Sequence, residues 1–346
     1  MINILTIENT EDWDKCVKKI DNYDVFYLSG YLKAFQLQGS GEPLLIVYSD
    51  GEDYAVNAVF KRDIAEDKNF KGNLEKNRYF DLISPYGYGG FIGNVEKQTK
   101  LMKEWNDFCR ANRFISEFVR FNLFTEYKDY YTGCVESHTH NVVRDLTMEL
   151  DDMWMDFKPK VRKNVKKARN QGLEIILDDK GKYLDDFLRI YYGTMERTDA
   201  EEDFFFSKEF FNTLLTMKEN VMLFHVFYKG IVISTELVLY GSENCYSYLG
   251  GTDKNYFNVR PNDFLKYEII KWAQNKGLKN FVLGGGYGAD DGIFQYKATF
   301  APHGIKDFFI GKKIFDKDMY KKLCIIANVK YDDASTADGF FPQYRK

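Results

Sequence analysis

The chain has 346 residues, enough for two ordinary domains or one large one. Apolar residues make up 45% and charged residues 29%, and 30 Phe and 25 Tyr stand beside only 6 Pro; this excludes disordered, collagen-like and Pro-rich linker classes. The 48 Lys and Arg against 52 Asp and Glu leave a net charge of −4, so no global field favours nucleic acid, although a local basic patch stays open.

In chain order, Met1–Glu8 has neither a basic start nor a small-residue cleavage site. No later apolar run reaches the ~18 to 20 residues that span a bilayer, so a cytoplasmic protein without a transmembrane segment is expected. Pro43–Tyr48 has strand composition, Ser49-Asp50-Gly51 is a turn, and Tyr54–Phe60 alternates as a second strand. Leu101, Met102, Trp105, Phe108 and Cys109 recur at helical spacing over 101–112, and Phe114–Phe124 returns as a strand. A boundary is expected between Leu146 and Asp156.

The second half repeats this order. Val221–Phe227 is a strand, Tyr228-Lys229-Gly230 a turn, Ile231–Tyr240 the next strand and Cys245–Gly250 a third. Asn262 or Asp263 is expected to cap a helix carrying Phe264, Leu265, Ile269, Ile270, Trp272 and Ala273. Gly277 suits the left-handed position that ends it, and Lys279–Leu283 returns as a strand into Gly284-Gly285-Gly286. Each half reads as a meander, a helix and a returning strand, which predicts a duplicated α/β unit; chance similarity within one mixed α/β fold is the alternative. The expected division is 1–150, 151–325 and a tail at 326–346.

Five cysteines (Cys16, Cys109, Cys134, Cys245, Cys324) form no Cys-x-x-Cys pair and read as buried thiols. His138 and His140 beside Cys134 match no zinc pattern, so no metal is assigned. Lys158 to Arg169 holds seven cations in twelve residues, with Val161, Val165 and Ala168 as a narrow apolar stripe. Arg162, Lys166 and Arg169 on a neighbouring face suit a phosphate or an RNA backbone, or are simply a solvated face. Pro85-Tyr86-Gly87-Tyr88-Gly89-Gly90 combines close backbone approach with Tyr86 and Tyr88 for stacking on a flat or sugar-like ligand; a packed Gly-rich connection is the alternative. The glycines at 284–286 are followed by no long amphipathic helix, which rejects a dinucleotide fingerprint. Lys297 lies between Tyr296 and Phe300, where it either stabilises an oxyanion or snorkels over aromatics. Glu236 interrupts an apolar strand and shares a face with Val232, Ser234 and Val238; it either faces a cleft as a general base or faces solvent.

Several of these segments together resemble the Fem-type peptidoglycan-bridge aminoacyltransferases. They are Pro85–Gly90, Val161–Ala168 with Gly172–Ile175, Tyr191–Thr198 with Phe206–Phe211, Leu283–Gly286 and Tyr296–Phe300. The resemblance spans roughly residues 80 to 315 and implies an α/β (α+β) fold of two tandem GNAT-like domains, with mixed, mostly antiparallel sheets flanked by helices. It further implies acyl or aminoacyl transfer to an amine. Lys297 would be the active-site lysine with Tyr296 its aromatic neighbour, Arg197 and Tyr86 would line the acceptor cleft, and Gly285 and Gly286 would approach the substrate. Three departures stand out. No heptad insertion follows residue 180, Val282 stands where the family often has an acid, and no pyrophosphate loop is recognisable in Tyr256–Pro261.

The leading expectation is an acyltransferase acting on an amino group of a cell-envelope sugar or peptidoglycan precursor. Lys297 and Glu236 would carry the chemistry, with no tightly bound cofactor and acyl-CoA or aminoacyl-tRNA as donor. A charged-tRNA-dependent bridge enzyme and a non-catalytic carbohydrate-binding protein are the alternatives.

Overall fold

Turn chemistry sets the frame of the chain's two meanders. At the hairpins, Gly51 (φ 63°) and the pair Lys229 and Gly230 (φ 50° and 82°) supply the left-handed backbone that tight reversals need. The computed structural model describes residues 1–286, 291–331 and 339–346. The elements in order are β1 (Ile2–Thr6), α1 (Thr10–Lys18), α2 (Ser29–Leu37), β2 (Glu42–Asp50), β3 (Asp53–Asp63), β4 (Phe80–Ile83), β5 (Ile92–Asn94), α3 (Gln98–Ala111), β6 (Phe114–Arg120), α4 (Tyr127–Tyr130) and β7 (Cys134–Asp145). There follow α5 (Leu150–Asp156), α6 (Pro159–Asn170), β8 (Glu174–Asp178), α7 (Leu184–Arg197), α8 (Lys208–Leu215), β9 (Val221–Tyr228), β10 (Ile231–Tyr240), β11 (Asn244–Thr252), α9 (Pro261–Asn275), β12 (Asn280–Gly284), α10 (Gly292–Ala298), β13 (Ile305–Ile314) and α11 (Lys317–Ile326). None of the described helices is long and apolar enough to cross a membrane.

Two compact units result, one of Met1–His138 with Phe308–Lys346 and one of Thr139–Asp307. This differs from the expected division at 150 and 325. The second unit begins inside β7, and the C-terminal segment is no tail. Tyr320, Leu323, Cys324, Phe341 and Tyr344 pack with Ile64, Phe70 and Ile115 in the first unit's core. Asp81, fully buried, accepts from Arg62 (2.7 Å), Arg345 (2.6 Å) and Tyr344 (3.0 Å). No local pattern in the sequence announces such a long-range return.

In the first unit the strands run β1-β2-β3-β4-β6-β13, with β5 on β3. β4 and β6 are parallel, and α3 lies between them in the chain with Trp105 fully buried. In the second the order is β7-β12-β11-β10-β9-β8, and α9 joins the parallel pair β11 and β12. Each unit thus has antiparallel strands closed by a helix and a parallel returning strand, as the repeated element order predicts. Strand β6 ends at Arg120, short of the expected Phe124. Helix α9 starts earlier than expected: Arg260 in the left-handed region (φ 63°) is its N-cap, and Pro261 fills the first position, where no N–H is needed.

Candidate active site

A cavity of about 630 Å³ opens in the second unit where two parallel strands stop pairing. Asn244–Tyr246 of β11 pairs with Asn280–Val282 of β12, and beyond that Ser247–Thr252 continues without β12 beside it. A register shift between Leu237 and Val238 of β10 marks an extra residue in β11 at the same level. Ser247–Thr252 lines the cavity together with α7 and the starts of α9 and α10. Helix α7 can close against β11 because residue 251 is glycine: a Cβ there would lie 2.1 Å from Thr194 Oγ1.

Glu236 faces this cavity and is buried, only 4% exposed. The alternation that placed it beside Val232 and Ser234 is broken by a bulge between those two residues, yet its carboxylate still turns inward. Its Oε2 accepts from Lys266 Nζ at 2.5 Å, and the same ammonium donates to Ser247 Oγ at 2.5 Å. The other oxygen, Oε1, is buried with no hydrogen-bond partner among the described residues. A desolvated carboxylate oxygen without a donor is costly, and a substrate N–H would satisfy it. Lys266 was not anticipated from sequence. The signal was there: Phe264, Leu265, Tyr267, Ile269 and Ile270 around it are all buried, and a lysine inside such a helix needs a counter-ion.

Asp291 caps α10 by accepting from Phe294 N at 2.6 Å, which sets the helix so that Lys297 reaches back to β12. Lys297 Nζ donates to the carbonyl of Gly285 at 2.6 Å. Burial, then the nearby Lys266 ammonium, push its pKa down to about 8, against the pull of Glu236 and Asp291. Gly286 is needed beside the cap, since a Cβ there would meet Asp291 Oδ2 at 2.3 Å. The ring of Tyr296 packs on Phe300 at 5.4 Å, and burial holds its hydroxyl well above the usual range.

Lys297, Glu236, Tyr296 and Arg197 therefore line one cavity. Arg197 is exposed, its guanidinium 5.3 Å from the ring of Phe257. Arg162 is half-buried, and its Nη1 donates to the carbonyls of Met155 (2.8 Å) and Phe157, which ties α5 to α6. Arg169 pairs with Glu268 at 3.0 Å and lies over Tyr267. On the cationic face expected on α6, the two arginines thus hold partners within the protein, while Lys163, Lys166 and Lys167 are exposed. Tyr86 and Tyr88 belong to the first unit, where Tyr86 is half exposed against Phe35 and Tyr88 is buried against Phe26 and Phe308. Residues 287–290 beside the glycines lie outside the described residues.

Residues 156–298 match a family model described as an acetyltransferase (GNAT) domain. A search of curated protein sequences finds no match. Among solved structures, FemX superposes with a TM-score of 0.70 at 14% identity, covering 93% of this chain and 99% of FemX. The C-terminal domain of a putative lysylphosphatidylglycerol synthetase from Agrobacterium fabrum gives 0.57 at 12% identity, with 96% and 99% covered. L-PGS from Bacillus licheniformis gives 0.55 at 10% identity, with 92% and 96% covered. Residues 156–298 are therefore similar to an acetyltransferase (GNAT) domain, and the fold of the chain is similar to that of FemX.

Proposed function

We propose that the protein transfers an acyl group to an amine of a cell-envelope sugar or peptidoglycan precursor, with the reaction at the cavity of the second unit. The observation that carries this reading is that one cavity is lined both by Glu236, whose buried Oε1 has no donor among the described residues, and by a separate cation, Lys297. Acceptor chemistry of the cell-envelope type comes from the resemblance to the Fem proteins. The amine nitrogen attacks the donor carbonyl, and its proton passes to Glu236 Oε1. The oxyanion that develops is stabilised by the Lys297 ammonium. Collapse expels the thiolate of an acyl-CoA or the ribose oxygen of a charged tRNA, which takes up the proton. The stretch of β11 that β12 leaves unpaired offers main-chain groups to the amides of an extended donor arm.

One observation favours the tRNA donor over acyl-CoA. In the first turn of α9, where helix N–H groups would cradle a pyrophosphate, Asp263 is buried and accepts from Asn164 at 3.2 Å. Pro261 also removes one N–H from that turn. A carboxylate there repels a second anion, whereas the exposed lysines of α6 suit an RNA backbone. Thermal shift with acetyl-CoA, charged tRNA and UDP-amino sugars, one at a time, tests the proposal. Stabilisation by acetyl-CoA supports thioester chemistry, and stabilisation by charged tRNA that fades in high salt supports the second donor. If none of the three raises the midpoint, the reading fails.

A further inference from the structure

Lys266 is the residue on which the separation of the two reactive charges depends. Lys266 is only 7% exposed, and its Nζ sits 2.5 Å from Glu236 Oε2 and 2.5 Å from Ser247 Oγ. Among the described residues Glu236 has no other ion-pair partner and Lys297 has none; the Lys297 ammonium donates to the Gly285 carbonyl instead. Yet the two groups feel each other. Among the described residues, the charges that act on Lys297 come from Lys266 on α9, Glu236 on β10 and Asp291 at the cap of α10. Tyr296 belongs to the same surroundings, with the charges of Asp263 and Glu236 acting on its hydroxyl.

We infer that Lys266 is a positioning residue: it anchors Glu236 through one oxygen and so keeps the carboxylate from collapsing onto Lys297, leaving a free acceptor oxygen and a separate cation on one cavity. Attraction between unit charges grows steeply as water is excluded. A buried carboxylate that loses its counter-ion is strongly destabilised and takes the nearest cation. With Lys266 gone, that cation is Lys297, and both reactive groups would quench each other. Ser247 orients the Lys266 ammonium, so one face of Glu236 stays occupied and Oε1 stays available. This inference rests on the proposed acyl transfer for its purpose, but not for its test.

The test is competitive labelling of the full chain with trace acetic anhydride across a pH series. Peptide mass spectrometry then follows how Lys297 titrates, and no substrate is required. Lys266→Met should raise the pH at which Lys297 becomes reactive by about one pH unit or more, since a repelling cation is lost and a carboxylate is gained. Glu236→Gln should move it the opposite way, and Lys266→Arg should leave it near the wild-type value. A Lys266 with a merely structural role would move neither titration, or both in the same direction, and that result overturns the inference. Should Lys266→Met fail to fold, the double variant Lys266→Met/Glu236→Gln removes both buried charges and leaves none unpaired. Its Lys297 should then titrate between the two single-variant expectations, and a value outside that interval also overturns the inference. Absence of any acylated product would defeat the proposed function while leaving these titrations untouched.

Discussion

Lys297 Nζ lies 2.6 Å from the carbonyl oxygen of Gly285, so the cation is fixed by main chain just past β12 and by no carboxylate among the described residues. A charge held in this way is preorganised for an oxyanion. Lys297→Ala should lower kcat by ~10²-fold or more. The comparison is steady-state turnover, with circular dichroism showing that the variant keeps its fold; unchanged turnover removes Lys297 from the mechanism.

The same burial makes Lys297 sensitive to pH. Its pKa in the folded chain is about 8, below the ~10.4 of an unfolded lysine. The unfolded chain therefore binds more protons between these values, and the stability contribution, full above ~10.4, is lost as pH falls to about 8. Under the proposed role of the charged form, turnover runs the other way and should decline above pH 8. Lys297→Met should flatten both dependences relative to wild type in a melting series and a rate profile over pH 7 to ~10.

Two further buried groups titrate with opposite signs, one in each unit. Burial pushes His225 down to about 4 against the pull of Asp178, and it pushes Glu117 up to about 7 against the pull of Lys313. Stability from neutral His225 is complete above ~6.5 and lost as pH falls through about 4. Stability from protonated Glu117 is complete below ~4.3 and lost as pH rises through about 7. His225→Gln should remove the first dependence and Glu117→Gln the second, which denaturant titrations at pH 4.5 and 7 will separate.

Gly251 sets how closely α7 lies on β11. An alanine there would place Cβ 2.1 Å from Thr194 Oγ1 and 3.0 Å from the carbonyl of Ile190. Gly251→Ala should cost about 1–3 kcal/mol by forcing the helix outward, and it should raise KM because both residues sit at the cavity wall. Pairing it with Thr194→Ser, which keeps the hydroxyl, should not recover the loss, whereas Thr194→Ala should recover part of it.

In the first unit, Asp81 answers two guanidinium groups and a phenol. Asp81→Ala leaves Arg62 and Arg345 without their shared counter-charge and should destabilise the protein by about 3–5 kcal/mol. Truncation before Gly339 should also destabilise, because Tyr344 is fully buried. Chemical denaturation measures both.

What the sequence made legible follows from locality. Alternation and turn residues predict β9, β10 and β11, and Gly277 does end its helix in the left-handed region (φ 81°). Val161, Val165 and Ala168 do form the buried stripe of α6. Lys297, Glu236, Tyr296 and Arg197 converge on one cavity, although they come from separate elements. Less legible was what depends on distant partners. Arg162 looked available because its acceptors are carbonyls, which any residue supplies. Lys266 was hidden because its counter-ion lies thirty residues away in the chain. The docking of Tyr344 onto Ser116, across 228 residues, has no local signature at all.

The most direct test of the account is mass spectrometry of a UDP-amino sugar or peptidoglycan-precursor acceptor after incubation with whichever donor stabilises the protein. Acyl transfer at this cavity should yield an acceptor heavier by one acyl or aminoacyl group on nitrogen, formed by the wild type and at least ~10²-fold more slowly by Lys297→Ala. Donor and acceptor that both bind but yield no covalent product, or equal rates for the two proteins, would contradict it.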